Sequence, residues 1–409
     1  MNNEQLFQLA LNIEAPWLVT KTEFRNAEGK RSMHITLEYQ SGFFTWPTGH
    51  SAVHDRVDRT WRHMNFFEHE CYLHCKVPRV YDQDGKVKQV EVPWARTGSG
   101  FTLLFEAFSM FLIEQEMPVN KVGETISEYP KRVWTIFNYW ISVAYSEADH
   151  SGITALGVDE TSSKKGHNYL TLAVDMEEKR VVHATEGKGA DTLTAIANYL
   201  KGKEDKGTPP EQIGQICIDL SPAFISGIGK EFPEAQIVFD RFHVKALLNK
   251  AMDDLRKKER KEHLMLKGQK YLFLKAEENL NAYQLALRDL SLEALPTLGE
   301  AYRLKILFDD FWSMDDPQTA QGFLAYWCDL AIEAGIESFV KFAKTVADHW
   351  TGITNYTKYH LSNGILEGIN SKVQLAKARA RGYRKTENFI NMIYLIAGKL
   401  KFSYPHYST

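Results

Sequence analysis

The first stretch of the chain reads in twos. In "RSMHITLEY" (31–39) and "KQVEVPW" (88–94) apolar and polar residues alternate, the period of a strand with one buried face. "YDQDGK" (81–86) sets an Asp-Gly turn between "KVPRV" and "VKQVEV", which predicts a hairpin. "TGSG" (97–100) breaks the pattern. Residues 1–98 are therefore expected to form a small β-rich domain with much irregular backbone.

From Phe101 the period lengthens to that of a helix. "FTLLFEAFSMFLIEQ" predicts one helix, and "MPVNKVGETI" a short second one with Pro118 near its first turn. "SEYP" is a tight turn, and "KRVWTIFNYWISVA" a third helix. Helix, short helix, turn, helix is the helix-turn-helix layout, assigned to residues 99–149. Trp134, Phe137 and Trp140 recur at threes and read as core packing.

At Ile153 the pattern changes again. "ITALGVD", "HNYLTLAVD" and "KRVVHATEG" are strands, with a tight turn at "EE", and "ADTLTAIANYLKG" is a helix. A strand "IGQICIDL", a short helix from Ser221 to Lys230 and a strand "AQIVFD" follow. Three meandering strands, a helix, then strand–helix–strand is the order of an RNase H-like core, whose first part is residues 150–240. Residues 241–350 are almost wholly helical and charged, an all-α insertion, and 351–409 supply the core's C-terminal helices. The fold class is thus a mixed α+β and α/β multidomain chain.

Composition narrows the class. A chain of 409 residues that is 44% hydrophobic and 25% charged is an ordinary globular protein with a large core. Net charge is −3, so total charge points to no nucleic acid. Its distribution does. From Asn370 to Thr409 eight basic residues face one acid, Glu387, a local +7 that suits phosphates, although most such runs are solvated helix faces. Four cysteines make no disulfide framework and suit a reducing cytoplasm. The N-terminus does not resemble a signal peptide, and no apolar run is long enough to span a bilayer.

Two acids close strands, Asp159 in "ALGVD" and Asp219 in "ICID". Acids at the carboxyl ends of neighbouring strands converge on one crevice, and there they repel unless a cation lies between them. Mg²⁺ or Mn²⁺ takes such oxygen ligands. Glu367 heads the basic stretch "NGILEGINSKVQLAKARARGYR" and is the candidate third ligand. The plainer alternative is local: strand-end acids are common, and Asp219 before "LSPAF" suits a helix cap. Asp175 and Asp240 also end strands, and of Asp159 and Glu160 only one can face a site.

"GVDETSSKKGHNYLTLAVD", "CIDLSPAFISGI", "FDRFHVKALLNKAMDDLRK" and the stretch from Asn363 to Leu400 together resemble the ISL-three family of bacterial insertion-sequence transposases. So do "HDRVDRTWRHMNFFEHECYLHCKVPRV" and "VEVPWARTGSGFTLLFEA", and the resemblance covers nearly the whole chain. It implies a DDE transposase with two divalent ions, Mg²⁺ or Mn²⁺, held by Asp159, Asp219 and Glu367. It further implies binding of double-stranded DNA, both transposon ends and target. DNA contacts would come from Lys131 and Arg132 and from Lys372, Lys377, Arg379, Arg381 and Arg384. His243 is a possible support in the site, or equally a hydrogen-bonded core histidine. His167 is expected at the surface, and Arg59 and Arg62 are weaker candidates for DNA. A homodimer or higher oligomer on DNA, in the bacterial cytoplasm and at no membrane, would follow.

The chain departs from that family near its start. Family members commonly carry a small zinc motif there, and Trp46 and Gly49 stand where two of its cysteines are expected. Zinc is therefore not expected, and packing of Trp46, Phe66, Phe67 and Tyr72 is expected instead. A weaker alternative draws ligands from Cys71, Cys75 and a pair among His50, His54, His69 and His74. Two rivals stand beside the transposase: a non-catalytic DNA-binding protein that kept the fold, and an RNase H-like structure-specific nuclease.

Overall fold

The computed structural model describes residues 2–27, 29–46, 49–82 and 84–404, with the side chains of 45, 46 and 49 outside the described ones. The expectation for Trp46 therefore falls outside them. The chain forms two compact units. One comprises residues 1–144 with 401–409, the other 145–400. No helix among the described residues is long and apolar enough to cross a membrane.

The first unit opens on a helix the alternation did not show, α1 (Asn3–Ala10), capped reciprocally by Asn2 and Gln5. Six strands follow: β1 (Trp17–Ala27), β2 (Lys30–Tyr39), β3 (Phe43–Trp46), β4 (Gly49–Phe66), β5 (His69–Tyr81) and β6 (Val87–Gln89). They form a sheet of order β1-β2-β5-β4-β3, with β6 on β5 as the expected hairpin. The unit is more regular than expected. Long strands such as "GHSAVHDRVDRTWRHMNF" carry polar residues on one face and still pair along their length. The other face is apolar: Met33, Ile35 and Leu37 alternate inward on β2, and Cys71, Leu73, Cys75 and Val77 on β5. The indoles of Trp17, Trp61 and Trp94 meet edge to face among them.

That alternation bears on the metal question. Cys71 and Cys75 point into the core, and burial pushes their thiols up to about 11 and about 12. Neighbouring His74 points to the other face, where its ring bonds His34 at 2.7 Å. Phe66 packs on Phe7 and Phe24, whereas Phe67 is largely exposed, and Tyr72 stacks on His34. Arg62 is a correction. It is buried rather than offered to DNA, donating to the carbonyls of His63 and Cys71 and to Asn65, with Phe105 and Tyr72 rings beside it.

Three helices follow, α2 (Leu103–Glu114), α3 (Val119–Thr125) and α4 (Pro130–Glu147), in the expected layout. Thr102 caps α2, and Pro130 opens α4. Gly123 lets α3 meet the following turn, since a Cβ there would lie 2.9 Å from the Glu128 carbonyl oxygen. Phe137 and Trp140 are buried as expected, and the Trp134 indole donates to Asn120.

The second unit is built on a five-stranded sheet of β7 (Ala155–Lys164), β8 (Asn168–Asp175), β9 (Arg180–Glu186), β10 (Gln215–Ile218) and β11 (Gln236–Phe239), in the order β11-β10-β7-β8-β9. β7, β8 and β9 meander antiparallel, while β10 runs parallel to both β7 and β11. One expected boundary is wrong. β7 does not end at Asp159 but continues to Lys164, because the polar "ETSSK" still pairs with β8. The hydrophobic run stops there and the ladder does not.

Helices α5 (Ala190–Gly202) and α6 (Pro222–Glu231) fill one face through Leu193, Ile196, Leu200, Phe224 and Ile228. After β11 come α7 (Arg241–Glu259), α8 (Lys270–Leu274), α9 (Ala282–Ala294), α10 (Pro296–Asp310), α11 (Pro317–Glu333), α12 (Glu337–Asp348), α13 (Trp350–Thr354) and α14 (Tyr356–Tyr359). This helical stretch closes on the sheet's edge. The Asn355 amide donates to the Ile237 carbonyl at 2.8 Å, and Gly352 lies against the Phe239 ring. Two last helices, α15 (Gly364–Arg379) and α16 (Thr386–Ala397), return to the sheet, where Tyr394 accepts from the Ala184 amide.

Two glycines separate close packing from helix propensity. A Cβ at Gly352 would fall 2.4 Å from the buried Phe239 ring, while one at Gly322, exposed in α11, meets nothing within 4 Å. Gly352→Ala should destabilise the chain by about 1–3 kcal/mol, and Gly322→Ala should stabilise it by about 1 kcal/mol, both read by urea denaturation.

Candidate active site

Register places the first two acids. On the parallel strands Cys217 stands opposite both Gly157 and Val238. Two residues further on, Asp159, Asp219 and Asp240 stand level at the carboxyl side of β7, β10 and β11. Adjacent strands are about 4.8 Å apart, so three carboxylates share one edge of the crevice. Asp240 was legible only as a further strand-end acid, with no role assigned.

Each acid has a local duty as well. Asp219 accepts from the Ser221 amide at 3.0 Å in a turn before α6, whose N-cap is Ser221 and not Asp219, so the capping alternative does not hold. Asp240 is 1% exposed, and its Oδ1 accepts the Asn363 amide at 3.1 Å. That bond starts α15. Asp159 Oδ2 then accepts from the Asn370 side chain at 3.0 Å, Thr161 Oγ1 from Gln374 at 2.9 Å, and the Ser162 carbonyl from Lys377 at 2.6 Å. Residues 363, 370, 374 and 377 form one stripe of α15 lying along β7. Gly157 allows the approach, since a Cβ there would lie 2.6 Å from Leu366 Cδ1.

Glu367 sits one turn before Asn370, on the exposed shoulder of this stripe, with no ion pair among the described residues. The structure thus brings Asp159 and Asp219 together and sets Glu367 on the helix that covers Asp159. It does not gather the three into a ready cation site: no group of three or more His, Cys, Asp or Glu among the described residues could hold a metal ion.

The electrostatics are those of a crowded acidic crevice. Burial raises the Asp159 carboxyl above its ordinary value, and Asp219 and Asp240 raise it further, against the Glu160 amide and His243. Burial likewise raises Glu160, opposed by Lys188. Asp240 Oδ2, both polar atoms of the Asn363 side chain and Asn370 Oδ1 are buried without a hydrogen-bond partner. These unpaired oxygens are the kind of donor a hard divalent cation takes, although the described carboxylates are not gathered into a set that could hold one. His243 Nε2 lies 3.9 Å from Asp240 Oδ2, half-buried at the crevice.

The expected basic residues divide. Lys377 is spent on Ser162 and on Gln374, whereas Lys372, Arg379, Arg381 and Arg384 are exposed. Lys131 is exposed, while Arg132 is paired with Glu128 at 2.8 Å and lies over the Phe101 ring. His167 is exposed in a turn, as expected. Asn370 and Gln374 were not anticipated. Their signal was the spacing from Asn363 on the face that also carries Leu366.

A carboxyl whose folded value is raised costs stability as pH climbs from the ordinary carboxylate range through that raised value. Asp159→Asn removes this loss. The variant should melt higher than the parent at pH 7, with the gap shrinking as the pH falls below 4.

A transposase family profile matches residues 156–393, and a profile for the helix-turn-helix domain of transposase family ISL3 matches residues 90–141. The chain is 28% identical over 350 residues to the transposase for insertion sequence element IS1001 of Bordetella parapertussis, covering 82% of this chain and 84% of that one. It is 25% identical over 370 residues to the transposase for insertion sequence element IS1557 of Mycobacterium tuberculosis, covering 82% and 81%. Acids on adjacent strands, a covering helix that adds another, and profiles spanning both units agree: the chain belongs to the ISL3 family of insertion-sequence transposases.

Proposed function

We propose that Asp159, Asp219 and Glu367 are the catalytic carboxylates of a DDE transposase with an RNase H-like core split by the helices between β11 and α15. The observation that carries this is the level placement of Asp159 and Asp219 under a helix bearing Glu367. The strand order β11-β10-β7-β8-β9, with an antiparallel meander and two parallel strands, supports the fold reading.

Two Mg²⁺ or Mn²⁺ ions bound there would act as Lewis acids on the attacking and leaving oxygens of a phosphodiester. The chain's own residues do the rest. Asp159 and Asp219 offer like charges whose repulsion a cation relieves, and Glu367 offers an open carboxylate one turn away. Asn370 fixes the Asp159 rotamer, and Asp240 fixes the start of the helix. His243, facing Asp240 and felt at Asp159, orients a phosphate or water. Lys372, Arg379, Arg381 and Arg384 hold DNA phosphates, and Lys131 with Arg132 takes part in recognising the terminal repeats. The full reaction is cleavage at a transposon end, then attack of the freed 3′-OH on target DNA, by a homodimer or higher oligomer in the bacterial cytoplasm.

The test uses duplex DNA of the sequence flanking the gene, with Mn²⁺. The parent should cut it and join the cut end to a second duplex. Asp219→Ala and Glu367→Gln should each lower cleavage by at least ~10³-fold while binding is kept. Mn²⁺ should also raise the melting temperature of the parent and leave that of Asp159→Asn unmoved. Cleavage surviving in Asp219→Ala removes the assigned site. Lys131→Ala should weaken DNA binding and lower the salt slope by about 1.

A further inference from the structure

The track along β7 and α15 does not stop at the carboxylates. Beyond them, the turn from β7 to β8 and the end of α15 enclose a cavity of about 510 Å³. Lys164, Lys165, Lys377, Arg381 and Arg384 line it, with Tyr383 as an aromatic wall and no acidic residue among the lining. The Tyr383 ring is braced by Phe389, centroids 5.1 Å apart. Two of the cations build the walls. Lys164 Nζ donates to the Arg384 carbonyl at 3.0 Å, and Lys377 Nζ to that of Ser162. Lys165, Arg381 and Arg384 are exposed.

Arg381 is held there against its backbone preference. α15 ends in a Schellman turn: the Arg381 amide donates to the Ala378 carbonyl at 3.0 Å and the Gly382 amide to that of Lys377 at 2.9 Å. The first residue of such a turn is left-handed and is usually glycine. Here it is Arg381, at φ 56°, with glycine one place later at φ 90°. A long cationic side chain kept at a glycine position, at the mouth of a cavity without acids, points to an anion.

We propose that this cavity holds a backbone phosphate of one DNA strand, no more than about five nucleotides from the scissile phosphate. The distance follows from the elements. Lys164 is five residues along β7 from Asp159, about 17 Å. Lys377 is ten along α15 from Glu367, about 15 Å. One strand of B-form DNA advances about 3.4 Å along the helix axis per nucleotide and winds around it as well, so about five nucleotides is the upper bound. The cavity is open to solvent on one side and its volume suits a short run of backbone, so its place sets how far the cut lies from the grip. The register relative to the cut rests on the transposase reading, while the phosphate grip itself does not.

The experiment uses the full chain and duplex DNA of the flanking sequence, with single neutral methylphosphonate linkages walked along each strand. Binding is read by fluorescence anisotropy. The parent should lose about tenfold in affinity at one or two positions on one strand, and its Mn²⁺ cut should map within about five nucleotides of them. Arg381→Gly should melt at the same temperature or higher and bind more weakly. It should lose its sensitivity at those positions while keeping it elsewhere. An Arg381→Gly scan identical to the parent's overturns the proposal, whether or not the parent cuts. A lost position-specific response in a parent that never cuts keeps the grip and discards the chemistry instead.

Discussion

The arrangement depends on one helix lying along one strand. α15 meets β7 through a glycine that lets it close, three side chains whose hydrogen bonds set its register, and an aspartate two strands away that fixes where it begins. Slide the helix by one residue and Asn370 leaves Asp159, while Glu367 turns by about 100° around the axis. Asp159 and Glu367 are separated by more than two hundred residues of chain, so no local preference could hold them together. The register is held by polar contacts that are part-buried at Asn370 and exposed at Lys377, and where they are part-buried a missed bond costs more than a made bond returns.

The strand and helix pattern was readable because burial here follows simple periods. α5 coincides with its expected stretch, and β2 alternates residue by residue. Where the reading failed, the cause was polar strands. β7 past Asp159 and much of β4 carry Thr, Ser, Arg and Asp and look like loop, yet backbone pairing needs no apolar side chain. Asp219 was legible as a strand-end acid, while Asp159 was read as one although β7 runs on past it to Lys164. Asp240 was visible but without a role, because its place beside them comes from the order of strands in the sheet. Arg62 misled for a related reason: a lone arginine in a polar strand reads as surface until the opposing helix buries it.

One helix also carries two opposite electrostatic demands. Its first turns face massed carboxylates, and its last turn and the loop after it carry Lys377, Arg379, Arg381 and Arg384. Carboxylates near the start and cations near the end suit the helix dipole. On the proposed reading, the same polarity would give a nucleic-acid strand a direction along one rigid helix.

The helices between β11 and α15 carry a consequence of their own. Their buried residues, among them Phe308, Trp327 and Phe342, belong to a single apolar cluster with Leu156, Val158 and Ile216 of the sheet. They are not an appendage hung on a finished domain. Evolution could lengthen or trim the loops among them, but excising the whole segment would strip solvent-shielding material from the sheet itself. Inheritance of the catalytic half and of the inserted half is therefore joint, and recombination that exchanged one without the other would yield an unfolded chain before it yielded an inactive one.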